Sequence, residues 1–188
     1  MDLRSHAVMA GYIYDNFMNK TGLRLRRLYF KIGNLLPDLL PNLRIRLHEK
    51  HKSYNFLLHK INRLYGVKNW ESAFLSMKLG IVTHLITDYF CHTHTQNYNG
   101  GLAGHRRYEK ALAQYIRQGL SEEHLIEGLM KVPNLASEII DYHFEMYNEE
   151  VQSFFHDTAY AVSTACRIVE NIYYISLPGT RERHAEAA

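Results

Sequence analysis

Little in this 188-residue sequence could staple or anchor the chain. It has two cysteines, Cys91 and Cys166, too few and too far apart for a disulfide framework, so stability has to come from a packed core. The same scarcity fits a reducing compartment. There are only four prolines, with no low-complexity segment and no internal repeat, which argues against a flexible linker or a repeat array. No apolar run reaches the roughly 20 residues that a membrane-spanning helix needs. The opening Met1, Asp2, Leu3, Arg4, Ser5, His6 lacks a basic segment followed by an apolar one, as a secretory signal would have. A cytoplasmic protein, at most peripheral to a membrane, is expected. The formal net charge of +3 is too small to argue nucleic-acid binding by itself. Nucleophile-elbow, phosphate-loop and dinucleotide fingerprints are absent, which removes those chemistries.

What remains is a chain 46% hydrophobic whose apolar residues recur at helical spacing, without a convincing alternating strand. The expectation is an all-α, single-domain helical bundle over residues 1–178, followed by a polar tail over 179–188. At this length one domain can bury a substantial core. A first helix is expected over residues 5–18, with Ser5 as N-cap and His6 in its first turn. A second, over 23–32, carries Arg24, Arg26, Arg27 and Lys31, and no acid occurs between Asn16 and Pro37. That basic face is either a solvated helix face or a contact for anionic lipid. Residues 33–41, with Pro37 and Pro41 around Asp38, are expected to break the helix. Further helices are expected over 121–130, 133–150 and 151–175, the last closing the bundle.

The stretch 80–110 holds His84, Asp88, His92, His94, His105 and Glu109. His84/Asp88 and His105/Glu109 repeat a spacing of four, which on a helix puts both members of a pair on one face. A glycine-rich polar run, 95–104, reads as the loop between the two helices. One such pair is ordinarily a surface or core contact. Two pairs with His94 between them point to metal, because His84 and Asp88 sit in an otherwise apolar helix where an uncompensated charge is expensive. Imidazole and carboxylate together suit zinc at an open site. His48 and His51, three apart, do not form the metalloprotease H-E-x-x-H motif. His156-Asp157 suggests the HD phosphohydrolases, but no later aspartate follows to complete that pattern.

Taken in order, these pieces resemble the zinc-dependent phospholipases C, which are related to the P1/S1 nucleases. Ser5-His6-Ala7 resembles that family's first histidine segment and Leu36-Pro37-Asp38 its proline–aspartate loop. Gly80-x-x-x-His84-x-x-x-Asp88, then His94, then Gly104-His105-x-x-x-Glu109 resembles its central signature. The resemblance implies two or three zinc ions in a helical domain. Asp38, one of His48 or His51, His84 and Asp88 would hold the first. His94, His105 and Glu109 would hold the second. Asp88 would bridge to a third ion that His6 also binds. His48 is preferred over His51 because a histidine, then a serine, then an apolar helix fits Ser53 and Phe56.

In secreted members a processed N-terminal tryptophan completes the third site with its amine and carbonyl. Here Met1 stands in that place, so the third site is expected to be completed by the Met1 amine or to be weak. The chemistry implied is attack of a metal-activated water on a phosphodiester, with Asp38 as general base. The substrate class is a phospholipid or another phosphodiester, with peripheral membrane contact. A nuclease or other phosphoesterase on the same site, and a non-catalytic zinc-stabilised membrane-binding protein, are the alternatives. Tyr54, Tyr98, Arg106 and Arg107 would serve a nucleotide or a lipid headgroup equally, so nucleic acid rests on family analogy alone.

Overall fold

One helix of this chain is buried on nearly every side, and the others are arranged around it. The computed structural model describes residues 1–40, 49–126 and 135–178. Within them the regular structure is helical: α1 (Leu3–Thr21), α2 (Arg27–Leu39), α3 (Lys50–Asn62), α4 (Ala73–Tyr89), α5 (Gly101–Ile116), α6 (Ala136–Glu149) and α7 (Phe154–Ser176). Short 3-10 turns lie at His92–His94 and Glu122–His124. The chain is all-α, as its spacing implies. Among the described residues no helix is long and apolar enough to cross a membrane.

The central element is α4. Leu79, Val82, Leu85 and Ile86 are fully buried, each contributing about 2 kcal/mol by leaving water. Thr83, His84, Thr87 and Asp88 are buried on the same helix. An α-helix apolar on all faces belongs in the middle of a bundle, and here α2 packs along one side of it and α7 along another. The approach of α2 is unusually close. A Cβ on Gly33 would fall 2.0 Å from the Met77 carbonyl oxygen, and one on Gly80 would fall 2.1 Å from that of Phe30. Only glycine permits such contact. The result is that Asp38, five residues beyond Gly33, faces His84, four beyond Gly80.

Several boundaries differ from the sequence expectation. α1 begins at Leu3, not Ser5, because Asp2 is the better cap: its Oδ1 accepts from Ser5 N at 2.8 Å and from Ser5 Oγ at 2.7 Å. Ser5 is therefore buried in the first turn instead of capping it. α2 begins at Arg27 because Arg26 is extended, its N donating to Ser76 Oγ at 2.8 Å. It also continues through Pro37 to Leu39, where a break was expected. Proline removes one backbone donor near the helix end. The buried contacts of Phe30, Gly33, Asn34 and Pro37 against the bundle offset that loss. The loop of the central stretch ends earlier than expected, since α5 starts at Gly101. Of the helix expected over 121–130, the described part is the turn Glu122–His124. The polar tail 179–188 lies outside the described residues.

Candidate metal centre

α1, α2, α4, the 3-10 turn after α4 and α5 each bring one or two chelating side chains to a common point. α1 supplies His6, α2 Asp38 and α4 His84, with one ligand atom from each lying within 4.8 Å of the others. A second set of three, His94 from the 3-10 turn with His105 and Glu109 from α5, meets the same limit. His6 and His84 stack, with ring centroids 3.9 Å apart, and so do His94 and His105 at 5.2 Å. Asp88 stands between the two sets. Its Oδ1 is 3.3 Å from His6 Nε2 and 3.3 Å from His94 Nδ1, and its Oδ2 is 3.3 Å from His84 Nε2. Asp38 is more distant, 3.9 Å from both His6 Nε2 and His84 Nε2.

The N-terminus enters the same cluster. The Met1 ammonium donates to Asp88 Oδ1 at 2.7 Å and lies 3.2 Å from Glu109 Oε1 and 3.4 Å from His94 Nε2. Burial alone would lower its pKa, but Asp88 and then the neighbouring acids raise it to about 12. Burial would likewise raise Asp88; the Met1 ammonium and then His94, His6 and His84 outweigh it and hold the carboxyl well below the ordinary range. Glu109 is held low for related reasons, burial being outweighed by the His94 hydrogen bond and the ammonium. Burial and the neighbouring His84 push the His6 imidazole down to about 3. His94 goes the other way: burial and the ammonium press it down, and the Asp88 and Glu109 carboxylates raise it.

Metal fits these residues. His6 Nε2 is fully buried and has no hydrogen-bond partner, although a carboxylate oxygen lies 3.3 Å away. Imidazole nitrogens and carboxylate oxygens converging on one point are what ligands of a shared cation look like. A cation there would add to the compensation that the Met1 ammonium gives the buried Asp88. The donor set, nitrogen and oxygen with no thiolate, suits zinc. Cys91 is a packed thiol, not a ligand in either set; burial pushes it up to about 12. Both sets open to one pocket of about 480 Å³, whose lining includes Asp38, Glu49, Lys52, His94, His105 and Glu109.

Of the residues expected from sequence, His6, Asp38, His84, Asp88, His94, His105 and Glu109 thus come together. His6 lies with Asp38 and His84, and its Nε2 is also 3.3 Å from Asp88 Oδ1, the oxygen that the Met1 amine approaches. His51 is elsewhere: its side chain is 44% exposed, in neither set, with Nε2 3.4 Å from Glu49 Oε2. His48 lies outside the described residues.

Supporting residues escaped the sequence reading. Thr87 Oγ1 lies 3.3 Å from His6 Nδ1, which orients the ring. With its amide oriented to satisfy both ends, Asn34 donates to His6 O at 3.0 Å and accepts from His84 N at 3.2 Å, tying α1 to α4. Asp157, on α7, is fully buried and bonded to three groups: Oδ2 accepts from His92 N at 3.0 Å and Tyr108 OH at 2.8 Å, and Oδ1 from Tyr147 OH at 2.8 Å. It braces the site from behind, and among the described residues His156 and Asp157 join no group of metal-ligating side chains. Its only sequence signal is an acid in an apolar helix.

The family model for zinc dependent phospholipase C matches residues 5–165 of the chain. No curated protein and no solved structure matches it.

Proposed function

The chain belongs to the zinc-dependent phospholipase C family, and from that membership together with its paired ligand sets we propose that it hydrolyses the phosphodiester of a phospholipid headgroup. The observation that carries this reading is the convergence of the two ligand sets on the buried Asp88, beside one pocket that Asp38, His94, His105 and Glu109 line. His6, Asp38, His84 and Asp88 would hold metal on one side of that carboxylate, and His94, His105 and Glu109 on the other. Bound zinc supplies Lewis acidity toward a phosphoryl oxygen and acidifies a water near neutral pH.

The chain's own groups do the rest. Asp38, 10% exposed at the pocket wall, is the base that takes the proton of the attacking water. Lys52, on the same wall, is paired with Glu49 Oε1 at 2.5 Å. The products are an alcohol and a phosphomonoester. The Met1 amine, within 3.4 Å of Asp88, Glu109 and His94, is placed to become a further ligand once it gives up its proton.

The lipid approach falls to α2. Leu28, Ile32 and Leu39 follow one another along this helix with 67%, 41% and 59% exposure, and the exposed Arg24 precedes it in the chain. A row of exposed apolar side chains on a helix preceded by basic residues suits the interface of an anionic bilayer, and the same helix carries Asp38 in its last turn. The test is release of phosphomonoester from phospholipid vesicles. The reading requires turnover that a chelator stops and added zinc restores, and that Asp38→Asn abolishes with the fold intact. Activity retained in Asp38→Asn removes that residue from the base role. Vesicle binding that survives chelation, with no turnover, makes the protein a non-catalytic membrane-binding module.

A further inference from the structure

Beside the metal pocket lies a second one of about 450 Å³, which shares His94 and Lys52 with it. Two aromatic rings, Tyr54 and Phe144, contribute to its wall, the combination that ordinarily receives a quaternary ammonium. Here that position is already taken. Lys50 Nζ sits 4.7 Å from the Tyr54 ring centroid and 4.6 Å from that of Phe144, and donates to Asp141 Oδ1 at 2.5 Å. Tyr54 OH donates to the other oxygen of Asp141 at 2.6 Å. The chain has therefore filled its own cation site and neutralised it.

Nor does the pocket favour an anion. Lys50 is paired with Asp141, and Lys52 and His51 both lie against Glu49. What is left to recognise a ligand is uncharged. Asn55, Gln96 and Asn97 line the pocket, and their side-chain amides make no hydrogen bond among the described residues. An amide offers donors and an acceptor side by side, which matches adjacent hydroxyls, and ring faces suit the C–H side of a cyclic polyol.

Resting on the phosphodiesterase reading, we infer that this second pocket receives the headgroup and selects an uncharged, hydroxyl-rich one over a choline-type cation. The phosphate would remain at the metal ligands, with His94 common to both pockets.

The experiment compares binding of myo-inositol 1-phosphate, phosphocholine and phosphoserine to the zinc-loaded protein, by calorimetry and by amide side-chain resonances. Inositol 1-phosphate is expected to bind roughly tenfold tighter than either charged probe and to shift the Asn55, Gln96 and Asn97 resonances. The double variant Asn55→Ala, Asn97→Ala should remove most of that preference while leaving zinc content unchanged. Lys50→Met should free the ring faces and raise phosphocholine affinity by roughly threefold or more.

Equal or tighter binding of phosphocholine or phosphoserine overturns the inference, as does binding of none of the three. A preference that the amide variant leaves untouched also overturns it. Turnover separates the two claims. Phosphatidylcholine cleaved faster than phosphatidylinositol would sink the headgroup assignment and leave the phosphodiesterase standing. Selective inositol 1-phosphate binding without cleavage of any lipid would do the reverse. Soluble glycerophosphoinositol, run beside phosphatidylinositol vesicles, distinguishes a free phosphodiester from a lipid as the source of the headgroup.

Discussion

Asp157 accepts the backbone N–H of His92 at 3.0 Å, so an acid on the last helix fixes the turn that presents His94. The same oxygen takes the hydroxyl of Tyr108, the residue before Glu109. One buried carboxylate thereby aligns both elements of the second ligand set. Asp157→Ala should leave a backbone N–H and two phenols without their acceptor and cost about 3 kcal/mol of stability. Asp157→Asn, nearly the same shape, should fold. It should bind zinc less tightly at His94, His105 and Glu109 than at the other set, as read by competition with a graded chelator. Equal weakening at both sets would refute the positioning role.

The His6 imidazole dictates how the chelated protein responds to acid. Its folded pKa is about 3 against an ordinary 6.5, so between those values the unfolded chain takes up a proton that the folded one refuses. Stability is then full above about pH 6.5 and falls as pH drops toward 3, on the order of 5 kcal/mol in all. Asp88 and Glu109, both lowered, act in the same direction at the acid end of the window. His94 is raised and has the opposite sign, its contribution fading as pH rises through its folded pKa. Melting temperature against pH, with chelator present, should slope more steeply below pH 6.5 in the wild type than in His6→Gln. Parallel slopes would contradict the assignment.

The amine of Met1 is expected to count among the ligands. Adding residues ahead of Met1 moves a charged nitrogen away from Asp88 and Glu109. Zinc per chain should fall by one ion while the helical content holds. Unchanged zinc would take Met1 out of the centre.

On α2, Leu28→Ser combined with Ile32→Ser should cut binding to vesicles of anionic phospholipid by roughly tenfold or more, since each leucine-sized group contributes about 2 kcal/mol when buried. Hydrolysis of a water-soluble phosphodiester should be unaffected, because neither residue touches the metal ligands. If vesicle binding persists, the exposed row serves something other than lipid. A shift from dimer to monomer in the variant would identify that something as a second copy of the chain.

The local part of this molecule was readable from the chain. Residues four apart share a helix face, and so His84 with Asp88 and His105 with Glu109 could be paired before any fold was known. The helical spacing of apolar residues likewise gave the bundle. What could not be read is the meeting of distant elements. No periodicity reports that Gly33 and Gly80 let two helices touch backbone to backbone, or that α7 sends Asp157 to the back of a turn 65 residues earlier. The N-cap was misplaced because Asp2 and Ser5 both qualify locally and only the folded geometry decides between them. From the sequence Pro37 suggests a break, because helix propensity ignores the packing that retains it. His51 illustrates the converse, a suitable ligand type that the fold leaves at the surface.

Zinc content per chain, measured by mass spectrometry on protein purified without added metal, tests the central claim most directly. The account predicts two or three ions, with losses when His84 or His105 is replaced and the bundle still folded. Protein that carries no metal, and whose stability and fold are indifferent to chelation and to both substitutions, would contradict it.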